Sequence, residues 1–322
     1  MPEDSPLTAL VDNISKVIIG KHESIFFATV ALLARGHLLI EDVPGLGKTM
    51  LARAMAKSLS VSYKRLQCTP DLMPSDVTGV PIFNDKTHEF EFRRGPIFTN
   101  LLLVDEINRA TPRAQSALLE AMAEAQVSVD GKTHRLHDPF MVIATQNPIE
   151  NHGTYPLPEA QLDRFFMRIA MGYPTLAEEA EMMSMQCHSH PINSLTAVLT
   201  PKQLLELQEQ VTQVHVDNDV MRYIAAITQK TREHESLAWG ASPRASLAMM
   251  RAAQATALMK NEPYVDPSLV KLIAKPVLSH RLVVKPQMQA DANADYIVTS
   301  ILNSVPVPVA CHENVAWNSN AS

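Results

Sequence analysis

The residues with the clearest chemical potential are 41–49, which read EDVPGLGKT. They follow the apolar residues 38–40 and precede an amphipathic run. Backbone N–H groups around two closely spaced glycines can surround an anion at a helix N-terminus. The lysine and hydroxyl that follow can reach a polyphosphate and its Mg²⁺. The spacing therefore predicts a strand, a phosphate-binding loop and a helix, with Lys48 on the β and γ phosphates and Thr49 on the metal.

One position departs from the full G-x-x-x-x-G-K-[ST] pattern, because Asp42 stands where the first glycine would fall. Aspartate adopts unusual backbone dihedrals more readily than most residues, so we expect the turn to be kept. Leu51, Met55 and Leu59 recur on one face of the following run, which predicts a helix. The alternative interpretation is a glycine turn that binds nothing.

Two further apolar runs end in polar side chains: residues 101–104 precede Asp105 and Glu106, and residues 140–145 are followed two positions later by Asn147. Continuous apolar runs are typical of parallel strands buried on both faces, and ligands bind at the carboxyl ends of such strands. We expect Asp105 to bind Mg²⁺ directly or through water, Glu106 to polarise the attacking water, and Asn147 to sense the γ-phosphate. A structural strand end and an Asn-Pro turn are the alternatives.

These runs belong to an alternation of short β-type and helical segments over residues 7–172. The β-type runs are residues 37–41, 63–68, 101–105, 140–145 and 166–171. Such alternation predicts an α/β fold, a parallel sheet with helices on both faces. From residue 201 the apolar periodicity is helical instead. We therefore expect an α/β domain at 1–173, a linker containing a helix at 174–199, a small all-α domain at 200–303 and a flexible tail at 304–322.

Two hairpins are predicted as inserts in the first domain. Asp130 and Gly131 stand between β-type runs over residues 127–136, a signal for a type I′ turn. Residues 80–94, with an Asn-Asp pair at their centre, indicate a second hairpin. The helix before the first hairpin should begin at Pro112, after the cap residue Thr111. Hairpins that project from a nucleotide-binding core are candidate contact elements, with ordinary surface loops as the alternative.

The bulk composition disfavours several classes of protein. At 322 residues and a net charge of -6, with a pI near 6.1, the chain lacks the basic field of a nonspecific nucleic-acid binder. Its cysteines, Cys68, Cys187 and Cys311, form no C-x-x-C pair, and its N-terminus does not resemble a signal peptide. We expect a reducing, cytoplasmic compartment. The apolar residues 25–34 are too few to span a bilayer, so no membrane span is expected.

A group of soft side chains lies near the predicted linker. Its members are Met182, Met183, Met185, Cys187, His188 and His190. Such side chains could hold copper or zinc. Because methionines at helical spacing more often pack in a core, we disfavour a metal site here.

Several segments resemble the MoxR branch of the AAA+ ATPases. They are residues 41–49, 105–110, 144–148, 153–165 and 240–244, and the likeness extends over residues 10–300. The resemblance implies a hexameric ring ATPase that binds ATP and Mg²⁺ with an α/β domain and a helical lid. It implies nucleotide contacts from Ile19 and Gly20, which would lie against the adenine, and from Pro44, Gly45, Leu46, Gly47, Lys48, Thr49 and Met50.

The resemblance also assigns roles to two arginines. It implies that Arg164 is an arginine finger presented to the neighbouring subunit's nucleotide, and that Arg244, at the start of a lid helix, reads the nucleotide of its own subunit. A guanidinium fork matches phosphate oxygens and keeps its charge at any working pH. Without the family, both residues would be interpreted as surface ion-pair partners. By their positions in the sequence, Arg109 and Arg113 are candidates for the same subunit interface.

The function predicted from these observations is a Mg²⁺-dependent ATPase that forms a ring and uses nucleotide-driven lid movement to remodel or activate a client protein. The resemblance implies complex assembly or cofactor insertion, and a partner with a von Willebrand factor A domain. A nucleic-acid motor or loader of the AAA+ class is the alternative, although the acidic charge and the lack of an aromatic and basic strip weigh against it. A nucleotide switch without turnover would not need Glu106. No motif identifies the client.

Overall fold

A computed structural model describes residues 5–148, 153–187, 191–288 and 293–308. The described chain forms an α/β core followed by a helical lid, which confirms the predicted fold class. Its strands are β1 (Leu38–Glu41), β2 (Tyr63–Gln67), β3 (Gly79–Asn84), β4 (Glu89–Arg94), β5 (Leu101–Asp105), β6 (Gln126–Val129), β7 (Lys132–Arg135), β8 (Met141–Gln146), β9 (Met167–Ile169), β10 (Leu237–Trp239) and β11 (Val283–Val284).

The α-helices of the described residues alternate with these strands in the core and dominate the lid. They are α1 (Pro6–Ser15), α2 (His22–Leu33), α3 (Lys48–Ser58), α4 (Pro74–Thr78), α5 (Pro112–Glu124), α6 (Glu159–Leu162), α7 (Leu176–Gln186), α8 (Pro201–Gln213), α9 (Asn218–Glu233), α10 (Pro243–Lys260), α11 (Pro267–Leu278) and α12 (Ala294–Ser304). As predicted, α5 begins at Pro112, and the Thr111 hydroxyl accepts a hydrogen bond from the backbone N–H of Ala114. None of the described helices is both long and apolar enough to cross a lipid bilayer.

The central sheet has five parallel strands in the order β2-β5-β8-β1-β9. They correspond to the five predicted β-type runs, and their ends differ from the prediction by at most two residues. Every side chain of β5 is buried, as are the first five of β8, which is why these strands read as continuous apolar runs. The carboxyl ends of β1, β5 and β8 therefore meet at one edge, where the polar residues that follow them lie close together.

The core and lid share part of their hydrophobic interior. One cluster of buried side chains includes residues of α1, α2 and α3 together with residues of α8 to α12. Gln208 of α8 donates a hydrogen bond to the carbonyl of Leu32 in α2 at 2.7 Å, and α10 and α11 pack against α2 and β9. The domain boundaries predicted at residues 173 and 200 are not tested by these contacts and stay a prediction.

The two predicted hairpins are present as β3–β4 and β6–β7. Asp130 and Gly131 have φ angles of 50° and 74°, the positive values that a type I′ turn requires. The β3–β4 hairpin exposes large apolar side chains, including Phe83 at 46% and Phe90 at 71%. The hairpins also touch each other, because Phe92 of β4 stacks on His134 of β7 with ring centroids 4.3 Å apart. The two hairpins therefore pack against each other.

The lid differs from the all-α prediction in one respect, since β10 and β11 pair as a short antiparallel ribbon. Strands of three and two residues are too short to show a period in the sequence. The predicted linker contains α7 and a turn of 3₁₀ helix at Pro191–Ser194. Helix α12 ends at Ser304. Most of the predicted flexible tail, residues 309–322, lies outside the described residues.

Candidate active site

The phosphate-binding loop joins β1 to α3 as predicted. Helix α3 begins at Lys48 and is preceded by Gly47, whose φ of 85° is in the left-handed region that glycine adopts at little cost. The first N–H groups of a helix have no partner within the helix, so they are available to an anion. The loop thus offers both backbone donors and the positive end of a helix dipole.

Lys48 lies in a partly buried and acidic setting. Its Nζ donates to the carbonyl oxygen of Asp42 at 2.6 Å. Burial lowers the pKa of Lys48, and the carboxylates of Asp42, Asp105 and Glu106 oppose that shift. These three acids favour the charged ammonium, so Lys48 is well placed to bind an anionic phosphate.

Asp42 has a role that the sequence pattern did not reveal. Its φ is not positive, so tolerance of unusual dihedrals does not explain its presence. Its Oδ2 accepts hydrogen bonds from the backbone N–H groups of Met171 at 2.8 Å and Gly172 at 2.6 Å. Asp42 therefore ties the loop to the chain that leaves β9 toward the lid.

The predicted phosphate and metal residues converge on one cavity of about 340 Å³, which we call the phosphate cavity. Predicted residues that line it are Pro44, Gly45, Gly47, Lys48, Thr49, Met50, Asp105, Glu106 and Asn147. Three lining residues were not predicted: Arg65, Gln67 and Thr145. Residues more than a hundred positions apart in sequence thus surround one space.

The hydroxyl of Thr145 connects the two acids. It donates to Asp105 Oδ1 at 3.2 Å and accepts the backbone N–H of Glu106 at 2.9 Å. Glu106 has a φ of 55°, a backbone conformation that is unfavourable for a residue with a Cβ. The hydrogen bond from its N–H to the Thr145 hydroxyl helps to hold that conformation. Asp105 itself is only 7% exposed.

Strand β2 adds two polar contacts to these acids. Arg65 Nε donates to Asp105 Oδ2 at 2.6 Å, and Gln67 Nε2 donates to Glu106 Oε2 at 3.1 Å. Arg109 Nη1 lies 3.3 Å from the same Glu106 oxygen. Arg65 and Gln67 are two positions apart on a strand and therefore share a face. The two-residue spacing was the only feature of the sequence that pointed to Arg65 and Gln67. It does not predict these contacts unless the strand next to β2 is known.

The cavity suits Mg²⁺, which prefers hard oxygen ligands and usually takes one or two from the protein and the rest from phosphates and water. Thr49 and Asp105 supply a hydroxyl and a carboxylate there. No group of three or more His, Cys, Asp or Glu side chains among the described residues could hold a metal by itself.

A second, mainly apolar cavity of about 100 Å³ adjoins the loop. Its walls include Ile19, Leu46 and Met50, as expected for a base-binding pocket. Gly20 does not line it; a Cβ at Gly20 would overlap the side chain of Glu178. Met182 and Met185 line the same cavity, which gives these members of the soft cluster a packing role. His188 and His190 lie outside the described residues.

Arg164 and Arg244 lie together in a third cavity of about 290 Å³, which we call the arginine cavity, and neither lines the phosphate cavity. Arg164 Nη1 donates to the carbonyl of Leu119 in α5 at 2.7 Å. Arg244 Nη1 is 3.7 Å from Asp163 Oδ2. In this conformation the two predicted arginines are therefore close to each other and apart from their own phosphate-binding loop.

Asp163 joins the lid to the segment that carries Arg164. Its Oδ1 accepts Arg281 Nε at 2.8 Å, and its Oδ2 accepts the hydroxyl of Ser242 at 3.1 Å. Arg281 is buried and also donates to the carbonyl of Phe165 at 2.7 Å. Burial lowers the pKa of Arg281 to about 10, although Asp163 favours its charge. Lid and segment are bound through an ion pair whose arginine is buried and whose carboxylate is partly buried.

Comparisons with known proteins agree with this geometry. Residues 37–167 match the family model described as ATPase family associated with various cellular activities (AAA), and residues 229–301 match the AAA lid domain. The protein YeaC of Bacillus subtilis (strain 168) is 51% identical over 93% of this chain and 94% of its own length. Chaperone MoxR1 of Mycobacterium tuberculosis is 38% identical over 94% of this chain and 82% of its own length. The chain belongs to the MoxR branch of the AAA+ ATPases.

A solved structure supports the fold of this MoxR-type protein over its length. The crystal structure of a Cytophaga hutchinsonii protein superimposes with a TM-score of 0.87 at 34% identity, covering 94% of this chain and 95% of that one. Membership of the AAA+ family implies nucleotide binding and hydrolysis in general. The roles of individual residues remain predictions.

Proposed function

We propose that this MoxR-type protein hydrolyses ATP with Mg²⁺, assembles into a six-membered ring, and uses the cycle to remodel a client protein in the cytoplasm. The observation that carries the proposal is the convergence of Lys48, Thr49, Asp105 and Glu106 on one cavity at the carboxyl ends of parallel strands. Phosphoryl transfer needs those groups together: a cation on the phosphates, oxygen ligands for a metal, and an acid near the attacking water.

In the proposed reaction, Lys48 and the loop N–H groups hold the β and γ phosphates. Thr49 and Asp105 would hold Mg²⁺, which would supply charge neutralisation at the phosphate oxygens. Glu106, fixed by its bonds to Gln67 and Thr145, would orient the water and accept its proton. Asn147 borders the same cavity, where it can contact the γ-phosphate.

The ring is proposed from the position of Arg164. Its guanidinium is in a cavity that does not include its own phosphate-binding loop. An arginine finger gains its function when a neighbouring subunit brings a phosphate to it. The arrangement supports a contact in which the arginine cavity of one subunit faces the phosphate cavity of the next.

The client is proposed to contact the paired hairpins β3–β4 and β6–β7. Phe83 and Phe90 face each other across the first hairpin with ring centroids 5.3 Å apart, and both are exposed. Exposed aromatic side chains of this kind are typical centres of protein interfaces. A client with a von Willebrand factor A domain is carried from the family resemblance, and the name chaperone given to MoxR1 supports remodelling as the activity.

Two substitutions test the ATPase proposal. Lys48→Ala should weaken ATP binding, whereas Glu106→Gln should retain binding and lower turnover by at least about a hundred-fold, because only water activation is lost. Fluorescent-nucleotide binding and phosphate release would be measured on both variants. Hydrolysis by Glu106→Gln at the wild-type rate would contradict the assigned role.

The Glu106→Gln variant also offers a test of the client. With ATP bound and turnover blocked, it should retain a client that the wild type releases, and a tagged form would be recovered from cell extract with that protein. Single- and double-stranded DNA would be added to parallel samples as the competing class. Saturable stimulation of turnover by DNA that falls steeply with added salt would favour the motor instead.

A further inference from the structure

Strand β2 brings a cation to the candidate metal ligand. Arg65 Nε donates to Asp105 Oδ2 at 2.6 Å; the side chains of Arg65 and Asp105 are 52% and 10% exposed. The other carboxylate oxygen, Oδ1, accepts the hydroxyl of Thr145 at 3.2 Å. Both oxygens of Asp105 are therefore engaged, one by a neutral hydroxyl and the other by a full positive charge.

The parallel register explains why Arg65 reaches this carboxylate. Arg65 is opposite Leu103 and Gln67 is opposite Asp105, so the side chains of Arg65 and Gln67 extend from the same face of β2. Arg65 Nη2 donates to Gln67 Oε1 at 3.0 Å, which orients the guanidinium plane. Arg65 also lines the phosphate cavity with Lys48 and Thr49. The guanidinium thus borders both the carboxylate and the space for phosphates.

Arg65 and a divalent cation would compete for the carboxylate of Asp105. Two cations on one carboxylate repel each other, so the guanidinium must move away or weaken metal binding. The Arg65 side chain is 52% exposed and can return to water, whereas Asp105, whose side chain is 10% exposed, then needs the metal as its new cationic partner. A phosphate in the same cavity offers a guanidinium an equivalent set of acceptors.

We propose that Arg65 is an exchangeable counter-ion of Asp105, which pairs with that carboxylate in the absence of metal and transfers to the terminal phosphate of ATP when Asp105 binds the metal. The proposal rests on the proposed ATPase function. This exchange of Arg65 makes the metal dependence of binding differ between ATP and ADP. Because ADP has no terminal phosphate to receive Arg65, breaking the pair is not compensated, and the metal strengthens ADP binding less than ATP binding.

The test measures how strongly the metal enhances nucleotide binding. Dissociation constants of ADP and of a non-hydrolysable ATP analogue are measured by fluorescence in EDTA and in excess Mg²⁺, and the ratio of the two constants is the metal enhancement. Arg65→Gln should raise the enhancement for ADP by about 3- to 10-fold. The enhancement for the ATP analogue should change by less than about two-fold, because the lost phosphate contact offsets the removed competition.

Lys64→Gln is the matched control, since it removes one positive charge from the adjacent position of β2. Lys64 extends from the opposite face, where its Nζ lies 3.3 Å from the carbonyl of Gly95, and it should leave both enhancements unchanged. Arg65→Lys keeps the charge without the fork and should raise the ADP enhancement by a smaller factor than Arg65→Gln. If Arg65→Gln is unstable, the metal enhancement of ADP binding is measured on Arg65→Lys instead.

An unchanged ADP enhancement in Arg65→Gln, or an equal change for both nucleotides, would overturn the proposal. If the wild type hydrolyses ATP and shows metal-enhanced binding in that case, only the exchange of Arg65 is wrong. A wild type that binds neither nucleotide would overturn the ATPase function together with the exchange.

Discussion

The phosphate cavity and the arginine cavity differ in what they contain. In the phosphate cavity, cationic, acidic and hydroxyl side chains from β2, β5 and β8 hold one another, as in the contacts of Asp105 with Arg65 and Thr145. In the arginine cavity, Arg164 and Arg244 lie close together, and Asp163 is the only acid among the lining residues that the structure describes. The first has most of the groups that hydrolysis needs, whereas among the described residues five arginines line the second against the single carboxylate of Asp163.

This difference indicates how the protein divides its chemistry. In the proposed function, a single subunit positions the phosphates, the metal and the water, because one sheet edge brings the residues for all three together. Its positive cavity becomes useful only when another molecule supplies an anion. We therefore interpret the two cavities as the two halves of one site that forms between subunits.

The largest effect is expected from removing the arginine finger. Arg164→Ala should lower ATP turnover by about a thousand-fold while nucleotide binding is kept, since the guanidinium stabilises charge in the transition state. Mixing Arg164→Ala with Lys48→Ala subunits should restore part of the turnover, because each supplies what the other lacks. Arg222→Ala, on the exposed face of α9, is the control. A monomer that hydrolyses ATP at the wild-type rate would contradict the two-half interpretation.

The next largest effect is expected on the free energy of unfolding, through a histidine that lines the arginine cavity. His37 lines that cavity, is 9% exposed, and bonds to the carbonyl of Met122 and the N–H of Val142. Burial lowers the pKa of His37 from 6.5 to about 4, although the Met122 carbonyl opposes this. The unfolded chain therefore binds the proton first as pH falls, and the free energy of unfolding should decrease by about 3 kcal/mol between about pH 7 and 4.

Urea unfolding across this pH range measures the slope for the wild type, for His37→Gln and for the exposed control His22→Gln. His37→Gln should flatten the slope and His22→Gln should not. Part of the slope should remain, because burial also lowers the pKa of His280 well below its usual value. An identical slope in all three proteins would show that His37 is not the group that titrates.

A smaller effect, about ten-fold in turnover, is expected for Arg244→Ala. The family resemblance implies that Arg244 reads its own subunit's nucleotide, whereas the structure places it beside Arg164. Mixing with Lys48→Ala separates the two roles. Restored turnover would mean that Arg244 acts on the neighbour's nucleotide. No restoration would mean that the lid must rotate to bring Arg244 to its own phosphates.

The smallest effect on basal turnover is expected in the hairpins, which belong to neither cavity. Phe90→Ser should leave basal ATP turnover within about two-fold of the wild type, as is usual for exposed positions. It should abolish stimulation by the client, and Glu89→Ser at the adjacent position is the control. An equal loss of basal and stimulated turnover would show that the hairpin supports the cavities structurally.

The fold class was predictable from the sequence alone, and so was the meeting of Lys48, Thr49, Asp105 and Glu106 at one cavity. Continuous apolar runs specified the buried strands, and the polar residues at their ends had to meet because parallel strands share one carboxyl edge. Gly47 and Lys48 have their positions at the start of α3 through local geometry, which depends on a few consecutive residues. For the same reason the hairpin at Asp130 and Gly131 was predictable from its turn residues.

Which distant side chains meet was not predictable without the tertiary structure. The contact of Arg65 with Asp105 depends on the order of strands in the sheet, and the bonds of Asp42 to Met171 and Gly172 depend on where the chain leaves β9. The position of Arg244 beside Arg164 depends on how the lid packs on the core. Sequence patterns record the period of one element, whereas these contacts arise from pairing and packing between elements that are far apart along the chain.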